Sequence, residues 1–266
     1  MPRDLSDVLH YFMPELSASK KVSGPTAPVS RLASRSTTVL PILALPISDQ
    51  DVVRTAYAWN LGVEISRLGA RSSIVTPPAD NGSALWPETA GSSLGTEILY
   101  AERNDLQSLH RKATDVAVAR ASDAEDGGII LVRVPPTWLR HPLQSNALLR
   151  WVLLLTSPDP REMVETFGLA RLLHSLRDDT EVGVTFHGVK EVSSAEAAFE
   201  HLDQTARKRA GLALSSYGAL LDDLEVYRAI AAHRAVSLVR PQSPAALALR
   251  DVATILLRRA KAAKNA

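Results

Sequence analysis

Two uninterrupted apolar runs, Ile129-Ile130-Leu131-Val132 and Val152-Leu153-Leu154-Leu155, constrain this chain more than any other feature. A strand that is apolar on both sides has to be covered on both sides, so each run suits a central position in a sheet. The runs extend to strand candidates at 129–134 and 152–156, with further candidates at 39–44, 73–76 and 182–186. Helical patterns at 51–68, 160–176 and 194–208 alternate with them. This alternation predicts an α/β fold: a mostly parallel, twisted sheet with helices on both faces, in three layers.

The chain has 266 residues, 45% of them hydrophobic, enough for one large domain or two small ones. A formal net charge of +1 sets up no global field toward nucleic acid or membrane. The absence of cysteine excludes disulfides and thiolate-ligated metals. The first residues lack a basic start followed by a long apolar run, so no signal peptide is expected. The longest apolar run, at 151–155, is far too short to span a bilayer. A cytoplasmic location is the expectation.

Three zones follow. Residues 1–37 read as an N-terminal tail, in which Leu5, Val8, Leu9, Phe12 and Leu16 fall at helical spacing before a linker rich in Ser, Pro and basic residues. Pro14 should end that helix early. Residues 38–266 form the α/β domain. Its C-terminal stretch places Ala246, Leu249, Val252, Ile255 and Leu256 on one helical face, then runs into Arg258, Arg259, Lys261 and Lys264.

The segment 40–80 reads as strand, loop, helix, strand. Asn60-Leu61 and Leu68-Gly69 inside it resemble the first helix of MinD/ParA-type P-loop ATPases, whose deviant Walker A loop reads GKGGVGKT. The same frame lays Ser48-Asp49-Gln50-Asp51-Val52-Val53-Arg54-Thr55 over that loop. Thr55 is retained, Arg54 stands at the phosphate-binding Lys, and Asp49 stands at the signature Lys. Thr76-Pro77-Pro78 lies where the family carries Asp-x-Asp, and Arg133-Val134-Pro135-Pro136 where it carries Asp-x-Pro-Pro.

Further matches come in order. Thr156-Ser157-Pro158-Asp159-Pro160 resembles the Thr-x-Pro-Glu-Pro turn of the FlhG-like branch. Gly218 to Asp223, with Val226 and Ala229-Ile230, resembles its Gly-x-Ile-Pro-x-Asp segment, with Leu221 in place of Pro. Pro241 to Ala246 resembles the opening of its last helix. The resemblance spans residues 38–258 and implies a P-loop NTPase-like fold.

It also implies a degenerate nucleotide site at Ser48, Asp49, Asp51, Arg54, Thr55, Thr76 and Arg133. Every cradle glycine is replaced, so Cβ atoms crowd the phosphate path. Asp49 and Asp51 add negative charge, each repulsion unfavourable by about 1 kcal/mol near a surface. Arg133 reverses the charge at the Mg²⁺-associated position. Arg54 and Arg133 either pair with acids such as Asp49, Asp51 or Asp126, or together hold an anion. None of the seven histidines has metal-ligand spacing, and no Gly-x-Ser-x-Gly elbow occurs. No catalytic residue, metal or cofactor is expected.

The resemblance therefore implies a non-catalytic, MinD/FlhG-like interaction scaffold. It would act in placement, number control or assembly of a cell-surface machine such as a flagellum, a pilus or a polysaccharide exporter. Its partners would be proteins, a GTPase or ATPase of the same machine among them. Leu5, Val8, Leu9 and Phe12 either dock on such a partner or pack back on the domain. The basic C-terminal helix allows weak peripheral contact with the inner membrane. Two alternatives stay open: a nucleotide-driven switch with an atypical P-loop, and a ParA-like protein that touches DNA through Arg207, Lys208 and Arg209. The thin net charge argues against nucleic acid.

Overall fold

The computed structural model describes residues 39–48, 50–78, 95–140 and 147–265. The strands are β1 (Ile42–Pro46), β2 (Arg71–Thr76), β3 (Thr96–Tyr100), β4 (Gly128–Val134), β5 (Trp151–Thr156), β6 (Glu181–Val189) and β7 (Ser215–Leu221). They join in one sheet in the order β3-β2-β4-β1-β5-β6-β7, and every pairing is parallel. The longer helices are α1 (Val52–Arg67), α2 (Leu106–Ala121), α3 (Pro160–Leu176) and α4 (Val192–Ala210). Two short helices, α5 (Leu224–Ala231) and α6 (Val236–Val239), precede the last one, α7 (Pro244–Asn265).

The period of two along each strand divides the core. On one face Leu43, Leu45, Ile129, Leu131 and Leu153 pack with Tyr57, Leu61 and Ile65 of α1 and Leu249 and Leu256 of α7. On the other, Ala44, Ile130, Val132, Leu154 and Phe186 pack with Leu109 of α2, Leu173 of α3 and Leu202 of α4. Every residue of β4 and β5 is buried, as their apolar runs predict. Each fully buried Leu or Ile contributes about 1.5–3 kcal/mol of transfer free energy, so this double core dominates stability.

The expected alternation is present, with shifts that have local causes. The first strand runs Ile42–Pro46 rather than 39–44, because Pro41 has no N–H to give the ladder. Its carbonyl still accepts from Ile130 N–H at 2.9 Å. Strands β3 and β7, and helix α2, fall outside the sequence-based candidates. β3 and β7 are the two edges of the sheet, so neither needs an apolar run on both sides. β7 also carries Gly218 at φ 93 and pairs with β6 through register shifts. Helix 160–176 matches α3 residue for residue.

Geometry requires glycine at several positions, Gly69 and Gly183 among them. Gly69 takes φ 86 to turn the chain from α1 into β2. Gly183 on β6 lies flat beneath the Tyr217 ring, where an added Cβ would fall 2.1 Å from Cε2. Tyr217 belongs to a polar chain at the N-terminal end of the strands. Trp151 Nε1–H donates to Tyr217 Oη at 3.0 Å, which donates to Glu181 Oε1 at 3.1 Å. Arg259 Nε–H donates to the same Glu181 oxygen at 2.7 Å, tying the end of α7 to β6. Burial pushes the Tyr217 hydroxyl up to about 12, so it stays a donor.

The C-terminal basic run is thereby split, since Arg259 faces Glu181 rather than solvent alone. No helix among the described residues is long and apolar enough to cross a membrane. Leu5, Val8, Leu9 and Phe12 lie outside the described residues, and so does Asp49.

Candidate functional site

Strand β1 delivers the chain to the C-terminal edge of the sheet at its centre, where strand order changes direction and doubly wound folds place their ligands. Ile47 N–H closes the strand onto Val134 O at 3.0 Å. The chain then folds back at once: Asp51 N–H donates to Ser48 O at 3.1 Å, and Gln50 N–H to Ser48 Oγ at 3.4 Å. Asp51 caps α1, its Oδ1 accepting from Arg54 N–H at 2.9 Å. Such a cap contributes about 1 kcal/mol. It also sets a carboxylate against the helix N-terminus, where the exposed N–H groups favour an anion.

Arg54, one turn into α1, is held on three sides. Its Nη2 donates to Glu162 Oε2 at 2.6 Å, Nη1 lies 3.2 Å from Asp51 Oδ2, and Nε–H donates to His187 Nε2 at 3.4 Å. Glu162 sits in the first turn of α3, whose cap is Asp159. The same Glu162 oxygen accepts from Ser157 N–H at 2.9 Å. Burial pushes the Glu162 carboxyl up, but the Arg54 charge and the Ser157 amide outweigh it and hold the group below the usual carboxylate range.

His187, near the end of β6, packs against Tyr57, the ring centroids 5.5 Å apart and the planes tilted by 39°. Burial first, and the Arg54 charge second, lower its proton affinity against the pull of Glu162 and Asp51. The neutral ring therefore offers Nε2 as an acceptor and keeps its proton on Nδ1. Burial and the charges of Tyr227, Asp222 and Asp223 raise the Tyr57 hydroxyl well above its ordinary range.

Arg133 lies one place from the end of β4, opposite Leu45 of β1, and is 6% exposed. Its Nε–H donates to Thr76 Oγ1 at 2.8 Å; Thr76 ends β2 and is fully buried. Thr55 is buried on α1 directly after Arg54. A cleft of about 550 Å³ opens beside the Arg54–Glu162 pair, lined also by Pro46, Ser48, Arg140 and Thr166 among others.

The sequence-based residues thus fall in two groups along one edge of the sheet. Ser48, Asp51, Arg54 and Thr55 surround the start of α1, and Thr76 bonds to Arg133. Arg54 pairs with Asp51, one of the acids expected for it. Glu162, Ser157 and His187 were missed. Glu162 carried a usable signal, since it stands three residues after Asp159 at the spacing of a capping box. His187 carried none: its strand candidate stopped at 186, whereas β6 continues to Val189. Elsewhere, Arg207 in the basic cluster at the end of α4 pairs with Asp203 through its Nε at 2.7 Å. Among the described residues no group of three or more His, Asp or Glu side chains is placed to hold a metal ion.

The fold defined by this sheet order and these helices is that of MinD/ParA P-loop ATPases. The MinC:MinD cell division protein complex of Aquifex aeolicus superposes with a TM-score of 0.55 at 14% identity, over 82% of this chain and 95% of that one. The septum site-determining protein MinD complexed with Mg-ADP, from Pyrococcus horikoshii, gives 0.55 at 17% identity, over 82% and 96%. A ParA family ATPase of Chlorobium tepidum gives 0.55 at 11%, over 82% and 99%. At these identities the likeness establishes the fold. No family model and no curated protein sequence matches the chain.

Proposed function

We propose that this chain is a non-catalytic, MinD/FlhG-like pseudo-ATPase that serves as a protein-interaction scaffold. The reading is carried by Arg54. In a working P-loop the cation of the first helical turn reaches toward phosphate. Here Glu162 and Asp51 hold that cation at 2.6 and 3.2 Å. The residues present do not fit a magnesium nucleotide. Asp51 caps the helix end that would receive phosphate, and a guanidinium, Arg133, stands near the end of β4 where a magnesium-associated carboxylate would be needed.

What remains is a rigid parallel sheet with both faces covered, suited to presenting a surface to other proteins. One similar structure is named as a MinC:MinD complex, which supports a protein partner for this scaffold. The branch-level assignment to placement, number control or assembly of a cell-surface machine rests on the FlhG-like turns at 156–160 and 218–230. Phosphate release by the purified chain tests the non-catalytic reading. No turnover above buffer is expected, and turnover that disappears in Arg54→Ala would establish the nucleotide-switch alternative instead.

A further inference from the structure

We infer that the cavity at the N-terminal end of the strands is a binding site for a small amphipathic monocarboxylate, an acid whose body is an apolar chain. It lies at the opposite end of the sheet from the Arg54 cluster and does not depend on what that cluster binds. The cavity holds about 490 Å³, between the approach to β1, the starts of β5 and β6, and the end of α7. Small-molecule sites have volumes of this order.

The backbone opens this space. Leu40 N–H donates to Ala117 O of α2 at 3.2 Å, and Pro41 O accepts from Ile130 N–H of β4 at 2.9 Å. Residues 39–41 are thereby drawn to the β4 side of β1. On the other side, β1 and β5 are in register only at Ala44 and Val152, so no ladder closes the start of β1 onto β5. The far wall is tied to itself, Glu181 N–H donating to Arg150 O at 2.9 Å. Trp151 in that wall is fixed by its bond to Tyr217, so the cavity is largely pre-formed.

The lining is apolar where a ligand body would lie. Val39, Pro41, Ile42, Ala147 and Ala260 all face the space. Val39 is 46% exposed, an apolar side chain left in water that an apolar ligand would cover.

Charge selects the head group. Glu181 is already paired: Arg259 donates to both of its oxygens, and Tyr217 Oη donates to Oε1 at 3.1 Å. The Arg259 hydrogen bond holds that carboxyl below the usual range against the effect of burial. Asp179 is held by Arg177, whose Nη2 donates to Oδ2 at 2.6 Å. Arg150 is exposed, and its side chain has no hydrogen bond or ion pair among the described residues. With each lining carboxylate matched to an arginine of its own, Arg150 leaves one positive charge unanswered at the cavity. A guanidinium presents paired N–H groups at the spacing of a carboxylate. A monoanion answers that charge, a cation is repelled by it, and a polyanion meets Glu181 and Asp179 in the same wall.

The test is calorimetric titration of sodium octanoate into the full chain at constant ionic strength, with sodium acetate and octylammonium chloride as controls for body and head group. Octanoate should bind wild type with a Kd below about 1 mM. Acetate and octylammonium should each bind at least about tenfold more weakly. Arg150→Glu, which reverses the head-group charge, and Val39→Asp, which puts a carboxylate in the apolar wall, should each weaken octanoate by about tenfold or more. Both positions are exposed, and circular dichroism checks that each variant folds. The absence of saturable octanoate binding overturns the proposal. Octylammonium or acetate binding as tightly as octanoate overturns it equally, and so does an octanoate affinity unchanged in folded Arg150→Glu. If one variant unfolds, the other and the ligand series on wild type carry the test.

Discussion

Arg54 Nη2 lies 2.6 Å from Glu162 Oε2, joining the helix after the central strand β1 to the helix after its neighbour β5. This one pair gives Arg54 a counter-charge at the wall of the cleft and ties two layers of the fold together. Both side chains are partly exposed, 23% and 34%, so water screens the pair and its coupling is modest. A double-mutant cycle on Arg54→Ala and Glu162→Ala, read by urea denaturation, should give a coupling of about 1 kcal/mol.

The same cluster sets an acid dependence. The folded Glu162 carboxyl lies below its unfolded value of 4.5, so its contribution is complete above pH 4.5 and drains as pH falls through the folded value. His187 is also depressed, from 6.5, so the unfolded chain takes up its proton first as pH drops. Both act in one direction: stability falls on acidification, beginning below pH 6.5 with His187 and deepening below 4.5 with Glu162. Urea midpoints measured across that range should fall in two stages, and His187→Asn should shrink the first to the share of His110, whose proton affinity burial also lowers.

Gly183→Ala should be costly. Its Cβ would meet the Tyr217 ring at 2.1 Å, and that ring is fixed by hydrogen bonds to Trp151 and Glu181. Overpacking of this kind costs about 1–3 kcal/mol. A thermal melt should show the loss, and Trp151 fluorescence should shift as its bond to Tyr217 breaks.

Asn60 stitches α1 to the short helix α6. Its Oδ1 accepts from the buried Val236 N–H at 2.7 Å, while its Nδ2 donates to Ala56 O at 2.8 Å. Asn60→Ala leaves a buried amide without an acceptor, a cost of about 1–3 kcal/mol. The melting temperature should drop by about 2–4 °C for each kcal/mol in a domain of this size.

Legibility in the sequence followed burial. β4 and β5, covered on both faces, announce themselves as unbroken apolar runs, and α3 carries both its cap and its period in one stretch. The edges do not. β3 and β7 need cover on fewer sides, and Gly218 interrupts the second of them. At the site, the sequence offers Asp51 as a partner for Arg54, but the helix candidate at 51–68 takes Asp51 as a helical residue, whereas it caps α1. Glu162 and His187 reach Arg54 only because parallel crossovers bring the ends of β1, β5 and β6 side by side. No spacing rule on a linear chain contains that juxtaposition. Asn60 was legible as part of a motif, but its use as a clamp on Val236 depended on where α6 returns.

On the proposed reading, Glu162 and Asp51 stand at the head of α1 in place of a bound nucleotide. Isothermal titration of Mg-ATP and of Mg-GTP into the purified full chain tests it most directly. No saturable heat is expected from either nucleotide at micromolar concentrations. Saturable micromolar binding of either one would contradict it.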